Sequence, residues 1–153
     1  MVTFIYSTLH KGKQMAIQFN VATRNARLDA IELTNGSSCS LVIRSGTVPA
    51  NCAAARTGTV LATINLPSDW MAAAASGAKA IAGTWQDLSA DATGTAGHFC
   101  VYNSQSTKDG TTCFIQGTVT ATSGGGDMEV SSTSFTAGQS FTVNTFTLTD
   151  GNA

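Results

Sequence analysis

The chain has 153 residues, a formal net charge of −1 and only 11% charged residues. An ordinary soluble domain carries roughly 25%, so the surface is expected to be mostly neutral and polar. This length suits one domain with its own hydrophobic core. The 8 basic residues form no run that could neutralise a row of phosphates, so nucleic acid is excluded as an expected partner. No apolar run approaches the ~20 residues that cross a bilayer, so no membrane partner is expected either.

The first fourteen residues differ from the rest in composition and lack a recognisable periodicity. They contain no continuous apolar stretch followed by a cleavage site, so they do not resemble a secretory signal, and synthesis in a cytoplasm is expected. Codons for residues 11–14, Lys-Gly-Lys-Gln, are purine-rich like a bacterial ribosome-binding site, and Met15 follows directly. The hypothesis is that residues 1–14 are a leader or an N-terminal arm, and that residues 15–153 form the single domain.

One helix is predicted near the start of this domain and a shorter one in its middle. Asn20 is a typical N-cap residue and Gly36 a typical stop, which predicts an N-terminal helix over residues 21–34. Ser68 precedes an alanine-rich run, which predicts a short second helix that ends at Gly77.

Most of the remaining chain alternates apolar and polar residues with a period of two, which is typical of half-buried strands. Strands are predicted over residues 38–44, 59–66, 79–88, 97–103, 111–121, 128–133 and 140–149. Residues 104–110 are predicted to be a hairpin loop, and the glycine-rich residues 122–126 a hairpin turn. Strands without a βαβ rhythm predict an all-β fold, an antiparallel β-sandwich of jelly-roll type, with one N-terminal α-helix and one short helix.

The last predicted strand contains a change of phase. Phe141 and Val143 alternate regularly, but Phe146 and Leu148 fall on the opposite parity. Either one residue near Asn144 and Thr145 is a β-bulge, or the strand is apolar on both faces.

Few residues could carry chemistry. The four cysteines, Cys39, Cys52, Cys100 and Cys113, form no C-x-x-C motif and do not have the spacing of zinc ligands. They are expected to be buried free thiols, with disulfides as the alternative. His98 shares a strand face with Cys100, but neighbouring positions on one face are roughly 7 Å apart, so a structural histidine is favoured over a Cys–His dyad.

Acidic pairs and aromatic residues offer weaker alternatives. The acids that could form a glycosidase pair or a calcium site are Asp87 with Asp91, and Asp127 with Glu129. Acids on an exposed strand commonly serve only solubility, however. The aromatic residues that could line a sugar-binding face are Trp70, Trp85, Phe99 and Tyr102. Trp85 alternates with the inward residues and is expected in the core. No catalytic, cofactor or metal site is predicted, and the chain is not expected to be an enzyme.

Two apolar stripes run along the N-terminal helix. The first stripe consists of Val21, Leu28 and Ile31. The second stripe consists of Ala22, Ala26 and Leu33. Because each stripe needs something to pack against, the helix is expected to have two neighbours, its own sheet and another subunit.

The charges of this helix are arranged unusually. Like charges lie three residues apart, no opposite pair occurs at i,i+3 or i,i+4, and basic residues precede acidic ones, which opposes the helix dipole. The charged residues are Arg24, Arg27, Asp29 and Glu32. Either these groups are merely solvated, or they pair outside the helix with another element or another chain.

Four segments of the chain carry a resemblance to a known family. They are Ala22–Glu32, Ile43–Met71, Asp91–Phe99 and Thr147–Ala153. In these segments the chain resembles small structural proteins of tailed bacteriophages, and the resemblance covers nearly everything after Met15. The residues before Met15 depart from the family's usual start. Small all-β phage proteins of this profile include capsid cement or decoration proteins, often jelly rolls, which clamp capsomers against internal pressure.

The resemblance implies a cement or decoration protein that binds and stabilises the shell of the major capsid protein. It implies a homo-oligomer, with a dimer as the expected unit, on the capsid surface of the virion after synthesis in the host cytoplasm. The subunit interface is predicted at Arg24, Arg27, Leu28, Asp29, Ile31 and Glu32. A tail or neck component is the first alternative function, and a carbohydrate-binding β-sandwich module is the second.

Overall fold

The computed structural model describes residues 17–151. The predicted leader or arm, residues 1–14, lies outside the described residues. The described part contains one α-helix and nine β-strands, which are α1 (Val21–Asn35), β1 (Ser40–Ser45), β2 (Val60–Asn65), β3 (Ala78–Ala80), β4 (Gln86–Asp87), β5 (Gly94–Tyr102), β6 (Cys113–Ala121), β7 (Met128–Val130), β8 (Ser134–Phe135) and β9 (Phe141–Thr149).

The helix begins and ends at the residues that the sequence indicated. The side chain of Asn20 accepts a hydrogen bond from the Thr23 N–H at 2.8 Å. At the other end the Gly36 N–H donates to the Glu32 carbonyl oxygen at 2.9 Å, and Gly36 has φ of 75°, which favours glycine. The predicted N-terminal helix is therefore confirmed, and it is one residue longer than expected.

The nine strands form a single mixed sheet that curls into a half-barrel. The strand order is β2-β1-β5-β6-β7-β9-β3, while β4 pairs with β9 and β8 pairs with β5. Every pair is antiparallel except β6 with β7, which is parallel. The all-β prediction is confirmed, the expectation of a purely antiparallel sheet is wrong, and a jelly-roll sandwich is not confirmed.

The parallel pair replaces the hairpin predicted at residues 122–126. The chain first folds back along β6, where the Gly126 N–H donates to Thr120 Oγ1 at 3.0 Å and the Thr118 N–H donates to Asp127 Oδ2 at 2.8 Å. A Cβ at Gly126 would lie 2.7 Å from the Thr120 side chain, so this close return needs glycine. The glycine-rich residues 122–126 do reverse the chain, as predicted. The hydrogen bonds to β6 then lead the chain into a parallel pair with β6 instead of a hairpin.

The short helix predicted over residues 68–77 does not form, and this prediction is wrong. The segment runs extended beside β3, where the Ala72 N–H donates to the Ala80 carbonyl oxygen at 2.9 Å. It turns at Ser76 and Gly77, whose φ angles are 54° and 77°. Alanine favours a helix over residues other than glycine and proline by at most ~0.7 kcal/mol per position, so tertiary contacts readily override that preference.

Two other strand predictions are refined. Residues 79–88 form two short strands, β3 and β4, instead of one, because they pair with separate parts of β9. β9 contains the predicted bulge: Glu129 pairs with Thr145 and Val130 pairs with Val143, which leaves Asn144 as the extra residue.

Aromatic rings form the centre of the main hydrophobic core. The ring centroids of Trp70 and Trp85 lie 6.3 Å apart, and Phe146 lies 5.8 Å from Trp85 and 5.4 Å from Phe99. All four side chains are buried, which confirms the assignment of Trp85 to the core. Such tilted and edge-to-face contacts add to the stabilisation that comes from burial alone.

A second, smaller hydrophobic cluster is built from Val42, Cys100, Tyr102 and Cys113. The segment between β1 and β2 reaches it, since Gln116 donates to the Pro49 carbonyl oxygen at 2.6 Å and Arg56 donates to Gln116 at 2.8 Å. β1 is therefore buried on both faces, and the prediction that it is half-buried is wrong.

Gly97 offers a test of this packing. A Cβ at Gly97 would lie 1.9 Å from the Gly46 carbonyl oxygen, whereas a Cβ at Gly151 would have nothing within 4 Å. We expect Gly97→Ala to lower the free energy of unfolding by about 1–3 kcal/mol, as overpacking typically does. Gly151→Ala should leave it within about 0.5 kcal/mol of the wild type. Urea unfolding of both variants makes the comparison, and equal midpoints would contradict the packing of β5 against Gly46.

Candidate subunit interface

Helix α1 packs on β3, the strand at one end of the sheet. Leu28 is only 4% exposed, and Ile31 is half-buried against the main core. Val21, which was predicted to share their stripe, is 47% exposed. The apolar contact of the helix with the sheet is thus smaller than expected, and polar contacts complete the attachment.

A buried lysine joins the helix to the sheet. Lys79 of β3 is 3% exposed, and its ammonium group lies 2.8 Å from Asp29 Oδ1 and 3.1 Å from Glu32 Oε2. The same group donates to the Ala72 carbonyl oxygen at 2.9 Å. All three ammonium hydrogens can therefore be satisfied, and the two helix carboxylates balance the buried charge. We call Asp29, Glu32 and Lys79 the helix clamp.

The helix also accepts backbone hydrogen bonds from the extended segment 70–77. Its acceptors lie at positions i, i+4 and i+7 of one helix face, so they form a row beside that segment. The pairs are Asn25 with the Gly77 N–H (2.8 Å), Asp29 with the Ala74 N–H (2.9 Å), and Glu32 with the N–H groups of Trp70 (3.0 Å) and Met71 (3.2 Å). These bonds satisfy the backbone of residues 70–77 in an extended form, which explains why no helix forms there.

The two arginines bind the chain just after β9. Arg24 donates to the Asp150 carbonyl oxygen at 2.8 Å, and the Arg27 guanidinium lies 3.3 Å from the Asp150 carboxylate. Arg27 also lies 5.0 Å from the centroid of the Phe19 ring, within the range of a cation–π contact. The backbone of Asp150 is itself held by the Gly77 carbonyl oxygen at 2.9 Å.

All four charged residues of α1 thus pair outside the helix, within the same chain. The prediction of partners outside the helix is confirmed, and the alternative of purely solvated charges is wrong. These contacts do not test whether another chain also binds there, so the subunit interface at Arg24, Arg27, Leu28, Asp29, Ile31 and Glu32 stays a prediction.

The clamp changes the acidity of its groups. The hydrogen bonds from Lys79 and from the Ala74 N–H hold the pKa of Asp29 below its usual value. Burial by itself lowers the pKa of Lys79, but the hydrogen bonds to Asp29 and Glu32 outweigh burial and raise that pKa above its usual value. Asp29 and Lys79 are therefore both charged near neutral pH.

The outer face of α1 remains exposed. Leu33 is 85% exposed, and Ala22 and Ala26 of the same stripe are exposed as well. We call Ala22, Ala26 and Leu33 the outer face. These residues are the second apolar stripe of the predicted helix, and no other described part of the chain buries them.

The possible Cys–His dyad does not form. His98 is fully buried, and its Nδ1 lies 3.2 Å from the Gly46 carbonyl oxygen. Cys100 instead accepts a hydrogen bond from Arg56 at 3.4 Å. Burial lowers the pKa of His98, so its ring is neutral near pH 7. These contacts agree with a structural histidine.

The acidic pairs are occupied by local hydrogen bonds. Asp87 accepts from the Thr63 N–H at 3.2 Å, and Asp91 accepts from the Thr63 hydroxyl at 3.0 Å. Asp127 accepts from both the N–H and the hydroxyl of Thr118. Within residues 17–151, no group of three or more His, Cys, Asp or Glu side chains could hold a metal ion.

The aromatic residues proposed for a sugar-binding face are all buried. They are Trp70, Trp85, Phe99 and Tyr102. A sugar ring stacks on exposed aromatic faces, so these four residues cannot form that site. The carbohydrate-binding alternative therefore loses the residues on which it was based.

Sequence reasoning missed three residues of the attachment, Asn25, Lys79 and Asp150. A signal existed for Lys79, which has the same parity in its strand as the inward residues Ile81 and Trp85. A lysine at an inward position needs a buried partner, and the unpaired acids of α1 were available. Asn25 and Asp150 gave no comparable signal, because their contacts depend on where the segments meet in space.

Comparisons with known proteins give no relative for this chain. No family model, no curated protein and no solved structure matches it. Among residues 17–151, α1 is too short and too polar to cross a membrane, and no other helix could do so.

The clamp predicts the effect of removing the lysine. Lys79→Met leaves two carboxylates close together without a cation, and we expect it to lower the free energy of unfolding by about 1–3 kcal/mol. This is less than the ~3–5 kcal/mol of a fully buried broken pair, because solvent screens the partly exposed acids. As a control, Arg27→Gln removes a more exposed ion pair and should cost less than about 1 kcal/mol. Urea unfolding measures both, and equal losses would contradict the special role of Lys79.

A pH series tests the same contact through Asp29. Since its pKa is lowered in the folded chain, the ionised carboxylate stabilises the fold above the unfolded pKa of about 4, and this stabilisation is lost as the pH falls through the folded pKa. We expect Asp29→Asn to have a lower urea midpoint than the wild type at about pH 7. The difference should shrink steadily as the pH falls below about 4. A difference that is independent of pH would show that ionised Asp29 does not support the clamp.

Proposed function

We propose that this protein is a structural component of tailed-bacteriophage virions, a capsid cement or decoration protein that binds and stabilises the shell of the major capsid protein. The resemblance of four sequence segments to small phage structural proteins suggests the class. The low charge of the chain, 11% against roughly 25% in ordinary domains, suits a surface that packs closely against other protein.

The observation that carries the proposal is the outer face of α1. Its apolar side chains are exposed, while Leu28 and Ile31 of the same helix pack towards the sheet and the helix clamp fixes the helix to β3. A surface that is already fixed loses little conformational freedom on binding. Exposed apolar surface of this kind commonly marks a contact with another protein.

Charged atoms beside the outer face would form the rim of such an interface. The side chains of Arg27 and Asp29 are 56% and 47% exposed although both are ion-paired. An apolar centre with a polar rim is the usual composition of a protein interface. Leu28 and Ile31 face the sheet, so in the predicted interface they would support the helix from below and the exposed parts of Arg27 and Asp29 would touch the neighbour.

A dimer around a two-fold axis is the expected unit, because one helix face can then pack on its own copy. In a capsid shell each subunit contact is repeated by symmetry, so interfaces of modest area are sufficient to stabilise the shell. The jelly-roll sandwich common in decoration proteins stays a prediction, which an experimental structure of the assembled shell would test. A tail or neck component would use the same face in fewer copies.

The experiment that tests the proposal is the composition of purified virions of a phage that encodes the chain. Quantitative gel densitometry against the major capsid protein gives the copy number. Copies on the order of hundreds support a decoration protein, as repetition over a capsid requires. Copies on the order of tens would favour the tail or neck alternative, and absence from the virion would overturn both.

Leu33 allows a sharper test of the outer face. We expect Leu33→Asp to reduce incorporation into virions by roughly tenfold, since an added charge must be desolvated in the contact, and ~1.4 kcal/mol corresponds to that factor. Leu88→Asp is the matched control, because Leu88 is 71% exposed and lies outside α1. Urea unfolding should show that both variants are folded, with a loss of at most about 1 kcal/mol for Leu33→Asp, because the new acid lies near the C-terminal end of the helix. Equal incorporation of the two variants would exclude the outer face as the binding surface.

A further inference from the structure

Three of the four cysteines lie together, away from the helix. Cys100 and Cys113 belong to the smaller hydrophobic cluster, and Cys52 packs against it from the segment between β1 and β2. We call these three residues the thiol cluster. All three are free thiols in this structure. Nothing in the proposed role of α1 accounts for them.

Strand pairing brings two of these thiols onto one face of the sheet. In the β5–β6 register Tyr102 lies opposite Cys113, and Cys100 is two residues before Tyr102. Residues two apart on a strand point to the same face, so Cys100 and Cys113 are diagonal neighbours. Phe114 is the extra residue of a bulge at this point, which turns Cys113 towards the smaller cluster and Phe114 towards Trp70 in the main core.

The surroundings favour a thiolate at one of the two sulfurs. The neighbouring Cys113 thiol is the largest influence that holds the pKa of Cys100 below its usual value, and the Arg56 guanidinium adds to this effect. The Arg56 guanidinium lies 3.4 Å from Cys100 Sγ and also donates to the Cys52 carbonyl oxygen. The neighbouring Cys100 and burial raise the pKa of Cys113, whose thiol donates towards the Ile115 carbonyl oxygen at 3.5 Å. Of the two sulfurs, that of Cys100 is therefore favoured as the thiolate.

We propose that Cys100 and Cys113 are a redox modification site, and that they form a cross-strand disulfide when the protein meets a small-molecule disulfide. The proposal rests on their strand register, their shared cluster and the guanidinium beside Cys100. It is independent of the proposed place of the chain in a virion.

The Cys100 thiolate attacks one sulfur of the small disulfide, the sulfur–sulfur bond of that molecule breaks, and one small thiolate leaves. The Cys113 thiol then gives its proton to the departing small thiolate and attacks Cys100 Sγ, which releases the second small thiolate. That thiolate takes a proton from water, where the proton of Cys100 went when its thiol ionised. The two cysteines lose two electrons, and the small disulfide gains them.

Access to the pair is through the segment between β1 and β2. Cys100 is fully buried and Cys113 is 8% exposed, so the oxidant reaches them when residues 46–59 move away from β6. That segment is held over β6 by the hydrogen bonds of Arg56 and of Gln116, both on the surface of the cluster. We therefore expect slow oxidation in the folded protein.

Cys39 is the internal contrast. It lies in the main core, where its thiol donates towards the carbonyl oxygens of Asn35 and Gly36. Burial raises the pKa of Cys39 to about 11, and none of the other three cysteines belongs to its cluster. It should stay reduced under the same treatment.

The test uses the full chain and oxidised glutathione. The reduced protein is incubated with the oxidant, remaining thiols are alkylated, and the unreduced tryptic digest is analysed by mass spectrometry. Trypsin cleaves after lysine and arginine, and Arg44, Arg56, Lys79 and Lys108 place each cysteine in a separate peptide. We expect the loss of two alkylatable thiols, a mass lower by two hydrogen atoms, and a linked pair of peptides that contain Cys100 and Cys113.

Variants complete the test. Cys39→Ser and Cys52→Ser should keep the link, while Cys100→Ser and Cys113→Ser should lose it, with urea unfolding used to confirm that each variant is folded. Four alkylatable thiols after prolonged oxidation would overturn the proposal. A link that includes Cys39 or Cys52, or a stable mixed disulfide with glutathione in place of the link, would overturn it as well.

Discussion

The burial of the Lys79 ammonium group between Asp29 and Glu32 is the constraint on which the arrangement of this chain depends. An ammonium group that is 3% exposed loses most of its hydration, which costs several kcal/mol unless nearby charges and hydrogen bonds replace it. Only the position of α1 over β3 supplies both carboxylates. Because the remaining oxygen lone pairs accept N–H groups of residues 70–77, the same contact also determines the path of that segment.

The clamp also explains why the charges of α1 oppose the helix dipole. The first half of the helix lies near Asp150 and the second half near Lys79, so each half carries the charge that its neighbour needs. A reversed dipole interaction costs roughly 0.3–1 kcal/mol per exposed charge, which a buried ion pair can outweigh. The pattern is thus determined by tertiary contacts within the chain. These contacts leave the neutral outer face of α1 exposed. The proposed subunit contact therefore depends on that face and not on unpaired charges.

The sequence predicted the features whose causes are local. The caps of α1 at Asn20 and Gly36 follow from neighbouring residues and were predicted correctly. The change of phase in β9 was also visible, and the structure selects the bulge from the two alternatives that the sequence left open. The parallel β6–β7 pair and the extended residues 70–77 depend on partners far along the chain, and both were missed. For the candidate site the charged residues of α1 were identified, but their partners were not. Partner choice depends on which segments meet in space, and a single sequence does not contain that information directly.

The two faces of the sheet pack against different clusters, because successive side chains of β5 point to opposite faces. Phe99 and Val101 point into the main core, while Cys100 and Tyr102 point into the smaller cluster. A covalent link between Cys100 and Cys113 would therefore brace the central strands β5 and β6 from the side opposite the aromatic core. α1 lies at the far end of the strand order, on β3, and shares no residue with the thiol cluster. The surface proposed for binding and the pair proposed for oxidation can thus change independently, so the protein could gain stability outside a reducing compartment without altering the face that it presents to a neighbour.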